Sequence, residues 1–578
     1  MIRDHFRVLN IDLSNSRGTV VEIDGRNELA GGSGLAALLF NKYGHPEKTW
    51  DDPDQPIIFA IGPLTGYFPL MSKTVCSFKS PYHNQYAESH AGGRSALTLR
   101  FANLDAIVIT GKAEKPSCVS VGSRHLDIKE VHYLWGMDVS ATGKMLRRMF
   151  KGSGHRSILR IGPAGERCSP IACINADTYR HFGRLGAGAA MGSKNLKGII
   201  IQGDASFVLP ENKEYPALFE EIHKKMTDTD MMSKYHNLGT PANVSMLNDI
   251  RALPCRNLKK TSDPEISGIT GEHFAEIALL RNAACAGCPV GCIHIGFVRE
   301  KFEAENRYFY RQVSYDHEPI FATGSMLGVF DCFSVLRILD TVEKMGLDVI
   351  STGVSLAWAT EALEKGIITE KETLIPLKFG DTEKYKEAII HLAKGTNEFY
   401  QLLANGTLKA AEKYGGTDFS CVLGQEMAGY ATGEVFFTSQ ALGFRHSHLD
   451  AAGYSYDLKA KDRKVEKAVD FLIKDEEIRV LLTSMVACLF AREVYTETLL
   501  TDCLKAVGYN MLSENINNIA QNVRKIRWKT RISTGYNPED VKIPRRFTET
   551  ETSRGMVDKD FLDALKKEYA RRIKEIVQ

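Results

Sequence analysis

The sequence predicts an α+β chain, a strand-rich base followed by two mainly helical domains. To about residue 205 the apolar residues come in short runs that end on glycine, and from about 210 they recur at helical spacing. Neither an internal repeat nor a low-complexity linker separates these parts, so they are expected to pack around a shared centre. The expected division is 1–205, 206–410 and 411–578. With 578 residues, 43% of them hydrophobic, the chain can bury a core of that size.

In the base, Phe6-Arg-Val-Leu-Asn-Ile-Asp-Leu alternates as a half-buried strand does, and Gly18-Thr-Val-Val-Glu-Ile supplies a hairpin partner. Ile57-Ile-Phe-Ala-Ile-Gly-Pro reads as a buried strand running into a turn. Ala106-Ile-Val-Ile-Thr-Gly, Cys118-Val-Ser-Val-Gly and Gly198-Ile-Ile-Ile-Gln-Gly are further short strands. Three glycine-rich loops interrupt them: one at Gly31-Gly-Ser-Gly, one at Glu88-Ser-His-Ala-Gly-Gly-Arg, and one from Arg184 to Lys197. None has the G-x4-G-K-[ST] spacing. The third, with Gly186, Gly188 and Gly192 before Lys194 and Lys197, reads as a backbone cradle for phosphate, to which Lys73 and Arg94 would add charge.

Beyond 210, the stretches at Leu218–Met226, Val335–Met345 and Val465–Ile473 are amphipathic. Thr407 to Tyr414 ends on a glycine cap, and the charged helix from Lys559 to Val577 is expected on the surface. The net charge of +2 gives no electrostatic case for nucleic acid. The first residues lack an apolar signal core, and no run is long enough to span a bilayer. Twelve cysteines without an export signal suggest a reducing compartment, and a cytoplasmic protein is expected.

The most informative stretch is Cys285-Ala-Gly-Cys288-Pro-Val-Gly-Cys292. Gly287, Pro289 and Gly291 keep it from forming a regular helix, so three sulfurs can turn toward one locus. A 4Fe–4S cluster with a distant fourth cysteine fits best. Structural zinc usually adds a second close pair, and none follows here. Unliganded buried cysteines are the bland alternative, made improbable by three in eight positions.

Together these segments resemble the tungsten-dependent aldehyde:ferredoxin oxidoreductase family along almost the whole chain. The matching pieces are Gly62-Pro-Leu-Thr-Gly, Phe101-Ala-Asn-Leu-Asp-Ala-Ile-Val-Ile-Thr-Gly-Lys, Ile161-Gly-Pro-Ala-Gly-Glu, Ala190-Met-Gly-Ser-Lys-Asn-Leu-Lys, the cysteine cluster and Gly346-Leu-Asp. The resemblance implies a β-rich base cradling tungsten (or molybdenum) held by two pyranopterins, with a 4Fe–4S cluster beside one of them. Helical domains would close over both.

Residue by residue, the resemblance makes Cys285, Cys288 and Cys292 cluster ligands. Cys488 is the fourth, in a segment where Thr483, Val486 and Ala487 depart from the family's D-x-x-G-L-C, and Cys503 is a weaker candidate. Glu343, Leu347 and Asp348 match a pterin-contacting D-x-x-G-L-D, and Thr483 and Ala487 fall at the matching positions of the other such segment. Lys73 stands where the family has arginine. His90, before Gly92 and Gly93, replaces an asparagine that holds a phosphate-bridging magnesium ion. Leu185, between Arg184 and Gly186, would offer that ion its carbonyl, although histidine suits magnesium poorly.

Glu318 falls at the family's near-metal glutamate, where burial should raise its pKa and let it act as base. His448, with His446 as runner-up, stands in for the active-site histidine; with Asp450 the pair reads equally as a proton relay or as a satisfied polar turn. The implied reaction oxidises an aldehyde to a carboxylic acid and passes electrons through the cluster to ferredoxin or a small Fe–S subunit. A homodimer or hetero-oligomer is expected. The alternatives are a low-potential reductase subunit acting on an aryl-CoA thioester, as in the tungsten benzoyl-CoA reductases, and an Fe–S electron-relay subunit without pterin chemistry.

Overall fold

The computed structural model describes residues 2–152, 155–301, 308–460 and 462–578. The first sheet comprises β1 (Phe6–Asp12), β2 (Arg17–Ile23), β3 (Ile57–Ala60), β4 (Thr74–Lys79), β5 (Tyr86–Ala91) and β6 (Ala106–Thr110), ordered β2-β1-β6-β3-β4-β5. β1 and β2 form the expected hairpin, with Phe6 opposite Ile23 and Asp12 opposite Arg17. β3, apolar at every position, lies inside the sheet with both faces buried.

The second sheet comprises β7 (Ser117–Val121), β8 (Leu126–Glu130), β9 (His155–Arg160), β10 (Ile174–Ala176), β11 (Arg180–Phe182) and β12 (Leu196–Gly203), ordered β11-β10-β9-β12-β7-β8. One face of each sheet meets the other. Ile57, Phe59, Ile107 and Ile109 share a core with Leu159, Ile174, Phe182, Ile199 and Ile201, and Phe59 meets Phe182 edge-on at 5.5 Å. The other face of the first sheet buries Phe6, Val8, Ile58 and Val108 in the main helical core, with Leu35, Leu39 and Phe40 of helix Gly32–Tyr43.

The helical part contains the predicted amphipathic elements, Glu214–Thr227, Cys332–Met345, Thr407–Tyr414 and Val465–Ser484. Its helical reading is broken by an antiparallel sheet of β13 (Leu279–Ala283), β14 (Ile293–Lys301) and β15 (Tyr308–Tyr315). Along β14 the buried β-branched residues Ile293 and Ile295 alternate with residues of the opposite face, a period of two that favours a strand. The cysteine stretch is the connection between β13 and β14. The C-terminal helix Lys559–Val577 is not simply superficial, because Leu562, Leu565, Tyr569 and Ile573 are buried in the main core. Among the described residues no single helix is long and apolar enough to cross a membrane.

Candidate functional site

Three distant segments are laced together by backbone hydrogen bonds. Leu70 N–H donates to the Gly287 carbonyl at 3.1 Å, and the Leu70 carbonyl accepts from Cys488 N–H at 3.0 Å. Lys73 N–H donates to Val486 O, and Ala286 N–H donates to Gly93 O. The curl between Cys285 and Cys292 uses left-handed backbone at Gly287 (φ 68°) and Gly291 (φ 65°), where a side chain would be strained. Cys488 follows the end of helix Val465–Ser484, where Val486 turns the chain at φ 57°. Cys285, Cys288, Cys292 and Cys488 are thereby brought into one neighbourhood. Cys503 is instead buried within helix Glu497–Val507.

Two cations occupy the same neighbourhood. Burial would strip the proton from Lys73, but the sulfurs of Cys488, Cys285 and Cys292 outweigh it and hold the ammonium above its ordinary pKa. Arg180 places Nη2 4.0 Å from Cys292 Sγ and hydrogen-bonds Cys285. Burial pushes the Cys288 and Cys292 thiols up to about 12. At Cys285 burial is outweighed by Arg180 and Lys73, and the thiol lies below its ordinary value. Gly92 is small for a reason: a Cβ there would lie 2.7 Å from Cys285 Sγ and 3.4 Å from Lys73 Nζ. Among the described residues no three His, Cys, Asp or Glu side chains are set to hold one metal ion, as tetrahedral zinc would require. An iron–sulfur cube takes one cysteine per iron and so spaces its ligands more widely.

Glu318 lies in the first turn of helix His317–Thr323. Tyr430 Oη donates to its Oε1 at 2.8 Å, and His448 Nε2 lies 3.1 Å from the same oxygen. Oε2 takes neither contact. The expected upward pKa shift does not occur. Burial does push the carboxyl up, but His448, His317 and Tyr430 together draw it down to about 2. His317 is fully buried, with Nε2 3.3 Å from the Gly429 carbonyl, and its Nδ1 and that of His448 are buried without partners. His446 belongs elsewhere, since its Nδ1 lies 2.7 Å from Ala441 O and its Nε2 2.6 Å from Arg531 Nη2. Asp450 is taken up by Arg445 and the backbone of Ser447, so that part of the segment is a satisfied turn.

The residues expected along the pterins line a neighbouring network. Gly346, at φ 72°, ends helix Cys332–Met345, Leu347 bridges to Ala172, and Asp348 caps helix Val349–Glu364 through Ile350 N–H and Ser351 N–H. Arg184 Nε lies 3.3 Å from Asp348 Oδ2, Arg184 Nη2 donates to Glu426 O, and Nη1 is buried without a partner. The Leu185 carbonyl accepts from Ser80 Oγ at 2.7 Å. Burial, with Asp340 nearby, raises Glu343 to about 8, and His181 Nε2 lies 3.6 Å from it. His90 Nε2 sits 3.1 Å from Glu88 Oε2, and burial lowers its pKa to about 4. The Thr483 carbonyl packs where a Cβ on Gly32 would be only 2.1 Å away, and Ala487 is buried just before Cys488.

In the third glycine loop, the glycines pack closely against neighbouring backbone and the two lysines are engaged elsewhere. A Cβ on Gly186 would lie 2.3 Å from Pro81 Cγ, one on Gly188 2.4 Å from Cys173 O and one on Gly192 1.8 Å from Gly165 O, so these glycines serve close packing. Lys194 Nζ donates to Pro53 O and Gly111 O, and Lys197 Nζ to Met137 O and Glu166. Lys73 belongs to the cysteines, and Arg94 is exposed.

Sequence reasoning missed Arg180, Asp316, Glu426 and Tyr430. Arg180 and Asp316 carry no local signal that separates them from surface charges. Tyr430 lies between Gly429 and Gly433, and Gly429, at φ 89°, packs so closely on Phe321 that a Cβ would meet its ring at 2.7 Å. That glycine spacing was the available sign of a constrained loop.

A β sandwich capped by helices, with four cysteines and a carboxylate–histidine pair between them, defines a redox enzyme of the cofactor-cradling kind. The chain belongs to the aldehyde ferredoxin oxidoreductase family: residues 8–203 match the family's N-terminal domain, and residues 217–573 match its domains 2 and 3. It is 30% identical to the tungsten-containing aldehyde ferredoxin oxidoreductase of Pyrococcus furiosus, over 94% of this chain and 91% of that one. It is 28% identical to the WOR-like subunit of an aliphatic sulfonate oxidoreductase from the same organism, over 88% and 82% of the two chains. Its fold also matches a chain of the active site complex BamBC of benzoyl coenzyme A reductase, in complex with 1,5-dienoyl-CoA. There the TM-score is 0.81 at 18% identity, covering 98% of this chain and 95% of that one.

Proposed function

We propose that the chain oxidises an aldehyde, with water, to a carboxylic acid, releasing two protons and two electrons. The observation that carries this reading is Glu318 held on one oxygen by both His448 and Tyr430. Such an arrangement keeps Glu318 ionised and leaves Oε2 to accept a hydrogen bond from water or from a hydrated aldehyde, orienting it for proton removal. With Nε2 donating to Glu318, the neutral His448 keeps Nδ1 to accept a hydrogen bond or a proton from a hydroxyl of the hydrated aldehyde. Tyr430, stacked on Tyr454 at 5.3 Å, walls this end of the site with aromatic surface that excludes water.

The residues fit the cofactors of the tungsten-containing relatives. The four cysteines supply the soft donors a 4Fe–4S cluster needs, and Lys73 and Arg180 balance its negative charge. Arg184, with Nη1 open, and Glu343, a carboxyl that holds its proton, would meet the polar edges of a tungsten bis-pterin, and Asp348 orients Arg184. When bound, that group supplies the two-electron chemistry. Electrons would leave through the cysteines, whose loop reaches the surface at Ala284 and Gly287, to ferredoxin or a small Fe–S subunit.

The test is anaerobic purification with tungsten, molybdenum and iron quantitation, then an aldehyde panel with a viologen acceptor. Turnover of at least one aldehyde is expected, with Glu318→Gln slower by about 10²–10⁴-fold. Activity with an aryl-CoA thioester and none with any aldehyde would overturn this reading.

A further inference from the structure

We propose that Arg180 is a positioning residue for electron flow: a half-buried cation that raises the reduction potential of the cysteine-held cluster, and whose effect is tempered by Asp316, two residues before Glu318. The inference rests on the four-cysteine cluster of the proposed function.

Arg180 opens β11, the edge strand of the second sheet, which aims its side chain past Gly92 into the cysteine pocket. Its Cδ lies 3.9 Å from where a Gly92 Cβ would stand, the same point that Cys285 Sγ approaches at 2.7 Å. One face of the guanidinium serves the sulfurs, with Nη2 4.0 Å from Cys292 Sγ and a hydrogen bond to Cys285. The other end meets a carboxylate, with Nη1 3.5 Å from Asp316 Oδ2. Nε is buried without a partner. Asp316 is held in turn by Thr240 Oγ1 at 3.5 Å, and that hydroxyl also accepts from His317 N–H at 3.1 Å. A continuous polar chain therefore runs from the sulfurs through Arg180 and Asp316 to the helix that carries Glu318.

The cluster gains one negative charge when it takes up an electron. A cation fixed beside it in a half-buried pocket, where water screens it only in part, stabilises the reduced form more than the oxidised one. A carboxylate paired to that cation subtracts from the effect. Lys73 contributes a second positive charge without a carboxylate partner among the described residues. Lys73 also draws on Asp316 through space, but of the two cations Arg180 is the one in direct contact with it.

The test is an EPR-monitored redox titration of the full chain, purified anaerobically with iron and sulfide quantitation, for wild type, Arg180→Met, Arg180→Lys and Asp316→Asn. At a fixed poise, Arg180→Met should lower the reduced-to-oxidised ratio at least about tenfold, which is about 59 mV for one electron. Asp316→Asn should shift it the other way, and Arg180→Lys should stay within about threefold of wild type, since the charge is kept. Unmoved potentials with full iron, or shifts of one sign in both variants, would overturn the inference and leave the cluster standing. If Arg180→Met does not retain iron, the direction of the Asp316→Asn shift decides. Wild-type protein without iron would remove the cluster reading itself.

Discussion

Gly92→Ala offers a direct probe of the cysteine pocket. The added Cβ would sit 2.7 Å from Cys285 Sγ, about 1 Å inside an ordinary contact between nonbonded heavy atoms. Lys73 Nζ at 3.4 Å and Arg180 Cδ at 3.9 Å block retreat on the adjoining sides. Ligand distances in a metal centre tolerate only about 0.2 Å, so a sulfur displaced by several tenths of an ångström no longer reaches its iron. Crowding of this kind costs about 1–3 kcal/mol of stability, which a chain of this size should survive. The variant should fold and yet hold at least about a quarter less iron, the share one cysteine of four carries. Iron and sulfide per chain, visible absorption and a thermal melt would report the outcome. Gly183→Ala is the control, because nothing lies within 4 Å of its Cβ. Gly92→Ala protein with wild-type iron and an unchanged spectrum would refute a cluster ligated through Cys285.

The two histidines should separate by phenotype. His448→Asn should lower kcat by about 10²–10⁴-fold with little change in Tm. His446→Asn, which removes one partner of the Arg531 guanidinium and the side-chain partner of the Ala441 carbonyl, should cost about 1–3 kcal/mol and leave the rate per folded molecule unchanged. Glu343 should make the cofactor-free chain sensitive to alkali. Its folded pKa of about 8 lies above the ordinary 4.5, so the native state holds a proton that the unfolded chain has lost, and stability falls as pH rises through that interval. Urea midpoints at about pH 5 and pH 9 should show that loss in wild type, and Glu343→Gln should flatten it. Glu318 runs the other way. Drawn down to about 2, its ionised form adds stability above pH 4.5 that is lost on acidification toward 2, and Glu318→Gln should abolish that acid-side loss in the same denaturation series.

The cysteine spacing was legible because ligand chemistry constrains neighbouring residues directly, and Gly287 and Gly291 take the left-handed backbone their positions suggested. The strands of the base could be read because apolar runs ending on glycine leave few alternatives, as at Ile57–Ala60. The antiparallel sheet around the cysteines was overlooked because the outer parts of β14 and β15 are exposed and rich in charged and polar residues, and the strands lie among helices. The glycine loop at Gly186 is ambiguous in sequence for a physical reason: glycines that admit a ligand and glycines that admit another backbone look alike until the neighbours are seen. For Glu318, burial alone argued for a raised pKa, but the opposing contacts come from Tyr430 and His448, more than a hundred positions away. Arg180 was invisible on the same grounds, since its meaning comes wholly from the sulfurs and the carboxylate on either side of it.

Leu70 holds the cysteine loop with its N–H and Cys488 with its carbonyl, in a left-handed conformation (φ 61°) that leucine seldom adopts. The consequence concerns biogenesis. On the proposed cluster reading, three thiols stand on one hairpin and the fourth nearly two hundred residues further on, joined only once the β base has folded between them. Under that reading iron would be taken up after tertiary assembly, and a chain truncated before residue 488 would offer it an incomplete nest.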